Sequence, residues 1–434
     1  MEAVEIAGDM PAAVSVRSVK SVALASLIGT TVEWYDFFLY GTITGLVFDK
    51  LFFPTGNAFV STMLAYTVYA VGFVTRPLGG VIFGHFGDRF GRKPLLVLTL
   101  SIMGVSTFLI GVLPTYASIG IWAPACLLLL RLLQGIGLGG EWGGAVLMAF
   151  EYAPREHRGL YASYPQIGLA IGLCLSSGAV AVLTTWLTPE AFLQWGWRAA
   201  FMASILLVGV GMFIRLRIVE TPAFAKIRDT HAVAKVPARE VFTDYRKNVF
   251  LGWGARYIDG VIFNTYAVFA LSYLVGIQRY AKSAVLVAVT LAALVLMFMI
   301  PVASRLSDRI GRRKVFGWGA VVCGLSAWPA FAVFHYTSSL IAVTATIVIV
   351  LGVIYPFVYG PEAAMFCELF DTRVRYSGIS IVYQVSGIVS SSITPLVAMA
   401  LLHYGNLQPW WIALYIACVG LLSAVCTYFI RRTF

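Results

Sequence analysis

Charge is what this sequence has least of. Asp, Glu, Lys and Arg make up 12% of its 434 residues, where a soluble protein carries about 25%. That shortage excludes one large water-facing core and leaves lipid as the solvent for much of the surface. Cysteine is sparse as well: Cys126, Cys174, Cys323, Cys367, Cys418 and Cys426 are scattered with no C-x-x-C pair. Neither a disulfide framework nor a metal site is legible in that spacing, so no metal or cofactor is expected, and the cysteines read as small apolar packing residues. Histidine is dispersed too (His85, His157, His231, His335, His403). No nucleophile–base pair or metal cluster gathers at one membrane face, which argues against an enzyme. The N-terminal tail, residues 1–20, has no charged n-region, short apolar core or cleavage site, so the first apolar run is expected to stay as an anchor.

What is abundant is apolar: 59% of residues, with a mean hydropathy of +0.85. A helix needs about 20 apolar residues to cross the hydrocarbon. Windows of that length place spans near 21–47, 58–83, 94–114, 119–145, 162–187 and 195–218. A second set falls near 248–276, 283–306, 315–335, 338–361, 376–403 and 409–431. The runs show no period-2 alternation, and backbone polar groups in lipid are satisfied only by helices or closed barrels, so these are helices. The expected fold is an all-α polytopic membrane protein of twelve transmembrane helices.

The net charge of +11 is topological rather than a footprint for nucleic acid. With alternate connections assigned to the cytoplasm from the N-terminus onward, 24 Lys and Arg fall on that side and three (Lys50, Arg279, Lys282) on the other. This is the positive-inside pattern, and it predicts both termini in the cytoplasm. The longest hydrophilic interval, 219–247, separates a six-helix bundle over 21–218 from another over 248–434.

Across that interval short motifs recur. GHFGDRFGRK at 84–93 returns as SRLSDRIGRRK at 304–314, so that Asp88, Arg89 and Arg92 answer to Asp308, Arg309 and Arg312. Glu151 precedes Arg158 by seven residues, as Glu368 precedes Arg375, and Gln166 matches Gln384. The chain is a duplicated six-helix unit, as transporter folds often are. The Asp-Arg-x-Gly-Arg motif in both halves, together with RLLQGIGLGGEWGG at 131–144, resembles the major facilitator superfamily. VEWYDFFLYG at 32–41, RPLGGVIFGHFGDRFGRK at 76–93 and WGWR at 195–198 are similar to its metabolite:proton symporter family. The resemblance covers nearly the whole chain. It implies two pseudo-symmetric halves, alternating access by a monomer in the bacterial inner membrane, and a solute such as shikimate, α-ketoglutarate, citrate, another dicarboxylate or an osmoprotectant. The second motif copy departs in having Ser304 and Ser307 where the first has Gly84 and Gly87. Osmosensory members carry a long C-terminal coiled-coil extension, whereas this sequence ends just past its twelfth span, which argues against an osmosensor. The resemblance also implies that the Asp88 motif is a conformational lock between the halves on the cytoplasmic side.

An ionisable group inside a span costs about 2.5–3.5 kcal/mol on insertion scales and is a functional hypothesis by default. The set here is Glu33 and Asp36 in span 1, Arg76 in span 2, Arg131 and Glu141 in span 4, and Arg256 and Asp259 in span 7. Asp36 and Arg131 fall near the same depth and are expected to pair. A guanidinium favours a neighbouring carboxylate's charged form and an apolar setting its neutral form, so making and breaking such a pair moves a proton. Asp36 is the first choice for proton carrier, with Glu33 second; a permanent tie between spans 1 and 4 is the alternative. Arg131 and Arg256 are the candidates for holding a substrate carboxylate, because a guanidinium stays charged and binds bidentately. Asp259, three residues on, can instead neutralise Arg256. Arg76, beside Pro77 and toward the cytoplasmic end of span 2, reads equally as a gate or packing residue and as a binding residue; Glu141 reads as a gate or proton-exit residue, or as packing. Tyr66, Tyr69, Gln166, Asn264, Tyr266, Tyr355, Tyr359, Tyr383 and Gln384 supply polar groups for a cavity wall, or else helix–helix hydrogen bonds. The expected partners are thus a small organic acid, a proton and lipid. An uncoupled uniporter or channel remains the rival, because coupling is an energetic property.

Overall fold

The computed structural model describes residues 16–217, 219–229 and 236–430. Most of the expected N-terminal tail, Lys235 of the central segment, and Arg431 and Arg432 lie outside the described residues. Within them, twelve helices are long and apolar enough to cross a membrane. In the first half these are α1 (Val19–Leu51), α2 (Phe59–Phe90), α3 (Arg92–Val112), α4 (Trp122–Tyr152), α5 (Arg155–Trp186) and α6 (Pro189–Arg217). The second half has α7 (Arg246–Gly276), α8 (Ser283–Ile310), α9 (Arg312–Tyr336), α10 (Leu340–Cys367), α11 (Arg375–Tyr404) and α12 (Trp410–Phe429). Two short helices, Pro222–Asp229 and Pro237–Asp244, lie in the central segment.

The repeat extends to local distortions. A π-helical turn at Thr44–Phe48 in α1 returns at Thr265–Phe269 in α7, and such turns cluster at functional positions. In α2 the helix breaks at Thr75, just before Pro77, whose ring and missing N–H disrupt the turn before it. The halves meet along two equivalent seams, α2 on α11 and α5 on α8.

The duplicated motif is not the loop that hydropathy suggests. Helix α2 was expected to end near 83 and runs to Phe90, and α8 passes 306 to reach Ile310. In each copy a single glycine, Gly91 (φ 110°) or Gly311 (φ 102°), makes the break. Both adopt a conformation that a side chain resists. The helix persists through this polar stretch because one face of it, Gly84, Gly87 and Asp88 in the first copy and Ser304 and Ser307 in the second, is buried. A Cβ at Gly84 would meet the Ser377 backbone, and one at Gly87 the Tyr376 ring.

At the second seam the small residue has changed sides. Gly159, which answers to Tyr376, lies against Ser304 and Asp308. Ser304 and Ser307 turn their hydroxyls back onto Ile300 O (2.8 Å) and Ser304 O (2.6 Å) of their own helix. The substitution of serine for glycine in the second motif is thus matched by a smaller residue across the seam.

Candidate transport site and gate

At the end of the bundle that carries the central segment, Asp88 accepts the backbone N–H groups of Tyr376 (3.1 Å) and Ser377 (2.8 Å) at the start of α11. Asp308 accepts those of Gly159 (2.7 Å) and Leu160 (2.9 Å) at the start of α5. Each half therefore caps a helix N-terminus of the other with a carboxylate, where orphan N–H groups and the helix dipole favour negative charge. Arg92 stands 3.4 Å from Asp88 and 3.6 Å from Glu151, and donates to Thr372 O at 2.9 Å. Arg375 crosses to Glu151 at 3.4 Å. In the second copy Arg312 reaches Asp308 at 3.0 Å and Glu368 at 2.5 Å. Arg158 lies over the Phe150 ring at 4.7 Å, and Arg89 is exposed.

Below this layer the halves touch through side-chain amides. Gln384 donates to Gly139 O at 3.1 Å and Gln166 to Tyr359 O at 3.1 Å. Trp142 donates to Gln166 at 2.7 Å and stacks on Tyr383 with centroids 3.5 Å apart. Gln166 is fully buried in this floor; Gln384 also borders the cavity above it.

That cavity, of about 530 Å³, is within the range of small-ligand sites. On α1 it runs from Trp34 to Thr42, on α2 from Tyr66 to Arg76, on α7 from Arg256 to Ser272 and on α11 from Tyr383 to Ser392. It thus extends from mid-depth toward the end away from the central segment. Two arginines line it, and they differ. Arg256 is 3.3 Å from Asp259 and 3.3 Å from Glu362, with the Tyr383 ring 3.7 Å away. The expected neutralisation by Asp259 occurs, and Glu362 adds to it. Arg76 lies against the rings of Phe37 (4.6 Å) and Phe73 (4.8 Å), and its buried Nε and Nη2 have no hydrogen-bond partner.

The expected direct pairing of Asp36 with Arg131 is replaced by a relay. Thr107 donates to Asp36 Oδ2 at 2.7 Å, Gln134 to the Thr107 hydroxyl at 2.7 Å, and Arg131 to Gln134 Oε1 at 3.2 Å. Arg131 sits outside the cavity lining, its guanidinium 4.3 Å from the Tyr40 ring and 5.0 Å from that of Tyr69. Those rings and the Tyr69 carbonyl hold it behind the wall. Asp36 Oδ1 and Glu33 Oε2 are buried without partners. Tyr355 likewise is not a lining residue; its hydroxyl donates to Asp259 at 2.6 Å.

Glu141 is paired inside the first half. Arg215 holds it with two guanidinium nitrogens and Thr99 donates to it at 2.8 Å, all within the first half. Arg215 is only 4% exposed, although its place near the end of span 6 assigns it to the cytoplasmic charge by sequence. Apart from the gate charges described above, the buried ionisable groups of the described spans are five carboxyls (Glu33, Asp36, Glu141, Asp259, Glu362) and four arginines (Arg76, Arg131, Arg215, Arg256). Sequence gives four against three, because span 10 is read as ending at 361, one residue before Glu362, and Arg215 is counted with the cytoplasmic charge.

The profile of the Sugar (and other) transporter family matches residues 22–250, and that of the Major Facilitator Superfamily matches 261–433. The inner membrane metabolite transport protein YhjE of Escherichia coli (strain K12) is 38% identical over 425 residues, covering 96% of this chain and 95% of that protein. The shikimate transporter of the same organism is 37% identical over 415 residues, covering 95% and 94%. The fold matches the proton:xylose symporter XylE bound to 6-bromo-6-deoxy-D-glucose, with a TM-score of 0.79 at 15% identity over 96% of this chain and 97% of that one. The chain is a transporter, not an enzyme, and it belongs to the major facilitator superfamily and, within that, to the metabolite:proton symporter family.

Proposed function

We propose that this protein is a proton-coupled carrier that takes up a small organic acid, shikimate or a related carboxylate, by alternating access. It works as a monomer in the bacterial inner membrane with both termini in the cytoplasm. The observation that carries the reading is Arg76: a buried cavity-lining guanidinium with two unpartnered nitrogens, suited to a carboxylate. Arg131 lies behind aromatic rings and Arg256 already faces two carboxyls, so Arg76 takes the substrate role that sequence assigns to those two. The aromatic wall of Trp34, Phe37 and Tyr69 suits a ring or carbon skeleton, and Asn264 offers a polar group for hydroxyls.

Asp36 is the proton carrier, with Glu33 one helical turn away. Both have a buried carboxyl oxygen without a partner, so each has a free position for a proton. An anion drawn to Arg76 adds negative charge nearby, which favours proton uptake by these carboxyls. The gate at the central-segment end is then the cytoplasmic gate, closed while the cavity faces outward.

The test is uptake by purified protein in liposomes, with shikimate first in a panel of organic acids and an imposed inward proton gradient. Concentrative uptake that a protonophore abolishes is the expected result. Uptake indifferent to the protonophore removes symport and leaves a uniporter.

A further inference from the structure

Helix α10 brings to mid-bundle a carboxyl group that the chemistry above does not use. Glu362 is 0% exposed, and neither of its oxygens has a hydrogen-bond partner. Its Oε1 lies 3.3 Å from Arg256 Nε. Asp259 approaches the same guanidinium at 3.3 Å and accepts the Tyr355 hydroxyl at 2.6 Å. Arg256 Nη1 is taken by the hydroxyls of Ser386 and Ser390, each at 3.3 Å. Two carboxyls therefore face one cation.

Nothing else facing the cluster supplies a second positive charge at ion-pair distance among the described residues. From α10 and α11 come the phenols Tyr359 and Tyr383, and from α9 the thiol Cys323. From α2, Arg76 acts on Arg256 through its field alone. A buried charge without compensation is neutralised rather than tolerated. Arg256 already meets both carboxyls with its single charge, which leaves a proton as the neutralising ligand for the second.

We propose that Asp259 and Glu362 share one bound proton across Arg256, forming a proton-binding centre in the second half separate from Asp36 and Glu33. The proton comes from solvent and converts one carboxylate to a carboxylic acid; no other bond changes. Because Arg256 borders the same cavity as Arg76, an anion bound at Arg76 adds negative charge beside the centre, and the two acids then hold that proton more firmly. The centre thus links the second half to cavity occupancy, whichever solute is carried.

Infrared difference spectroscopy of the purified full chain, in H2O and D2O, tests this without a substrate. The wild type is expected to show a protonated-carboxyl C=O band, shifted in D2O, that survives in the Glu33→Gln/Asp36→Asn double variant. Added singly to that double variant, Glu362→Gln and Asp259→Asn should each abolish the band, because either leaves one carboxylate on one guanidinium with no charge in excess. Persistence of the band in both overturns the proposal. Persistence in Asp259→Asn alone overturns the sharing, leaving Glu362 neutral on its own account. Both variants are expected to keep the wild-type melting temperature, since each removes only surplus charge. Failure of both to fold means that both negative charges are required, and equally overturns the proposal.

Discussion

Asp88 accepts the backbone N–H of Ser377 at 2.8 Å across the boundary between the halves, and both residues are buried there. Its counterpart Asp308 does the same for Leu160 at 2.9 Å. Closure at the central-segment end is therefore held by two carboxylates on two helix N-termini. A hydrogen bond to a charged group contributes about 1.5–3 kcal/mol. Asp88→Asn keeps the shape but loses the charge, and should shift the gate toward opening by roughly tenfold or more, since about 1.4 kcal/mol is a factor of ten. Cys367, 0% exposed among the gate charges, reports the change. Its alkylation rate, followed peptide by peptide, should rise in Asp88→Asn and again in Asp88→Asn/Asp308→Asn. An unchanged rate in both removes the lock role.

The repeat itself was legible, because Asp88 and Asp308 recur at a nearly constant offset with glutamate, arginine and glutamine partners following in order. What the sequence misplaced was decided by side-chain reach and by the ends of spans. Arg215 stands two residues from a chain charge that faces water, and only its path back to Glu141 makes it an interior group. Glu362 follows Pro361, where a hydropathy window closes the span. The Asp36–Arg131 pairing failed for a different reason: equal depth brings two groups to one level, but Thr107 and Gln134 from α3 and α4 fill the space between them. For Arg76, beside Pro77, sequence leaves binding and gating or packing equally open. Its cavity position follows from the break in α2, which no periodicity announces.

Arg76 carries a prediction about affinity. Arg76→Lys keeps the charge but not the planar fork, and should weaken substrate binding by about 1–3 kcal/mol. Arg131→Lys, outside the lining, should leave affinity near that of the wild type. Binding to purified protein, measured calorimetrically with a solute found in the uptake screen, checks both. The reverse pattern, with Arg131→Lys the weaker binder, would return the carboxylate to Arg131.

Glu141 and Arg215 carry a prediction about stability. Both are buried in the first half, and Gly29 of α1 makes room for them: a Cβ there would strike the Arg215 guanidinium. Glu141→Gln leaves Arg215 charged with its carboxylate gone, at a cost of about 3–5 kcal/mol. The variant should melt well below the wild type in detergent, and Glu141→Gln/Arg215→Gln should recover most of the loss. Glu141→Gln that melts normally but no longer transports would restore to Glu141 the gate or proton-exit role considered from sequence.

Asp36→Asn separates proton carrier from structural tie. The amide keeps the size of the side chain and can still accept from Thr107, while Arg131 keeps Gln134, the Tyr69 carbonyl and its aromatic neighbours. The variant is therefore expected to fold. It can no longer exchange a proton at this position, so net uphill uptake should vanish. Exchange of internal for external substrate should partly survive, since exchange does not require the empty carrier to return. Both assays belong on the same monodisperse preparation, because the contrast between them carries the argument. If Asp36 only fastens α1 to its neighbours, Asp36→Asn should instead be poorly folded, and Asp36→Asn/Arg131→Gln should restore it. A well-folded Asp36→Asn that still concentrates substrate moves the proton to Glu33, one turn away on α1, whose Oε2 is likewise buried without a partner, and Glu33→Gln should then show the loss of uphill uptake with exchange retained.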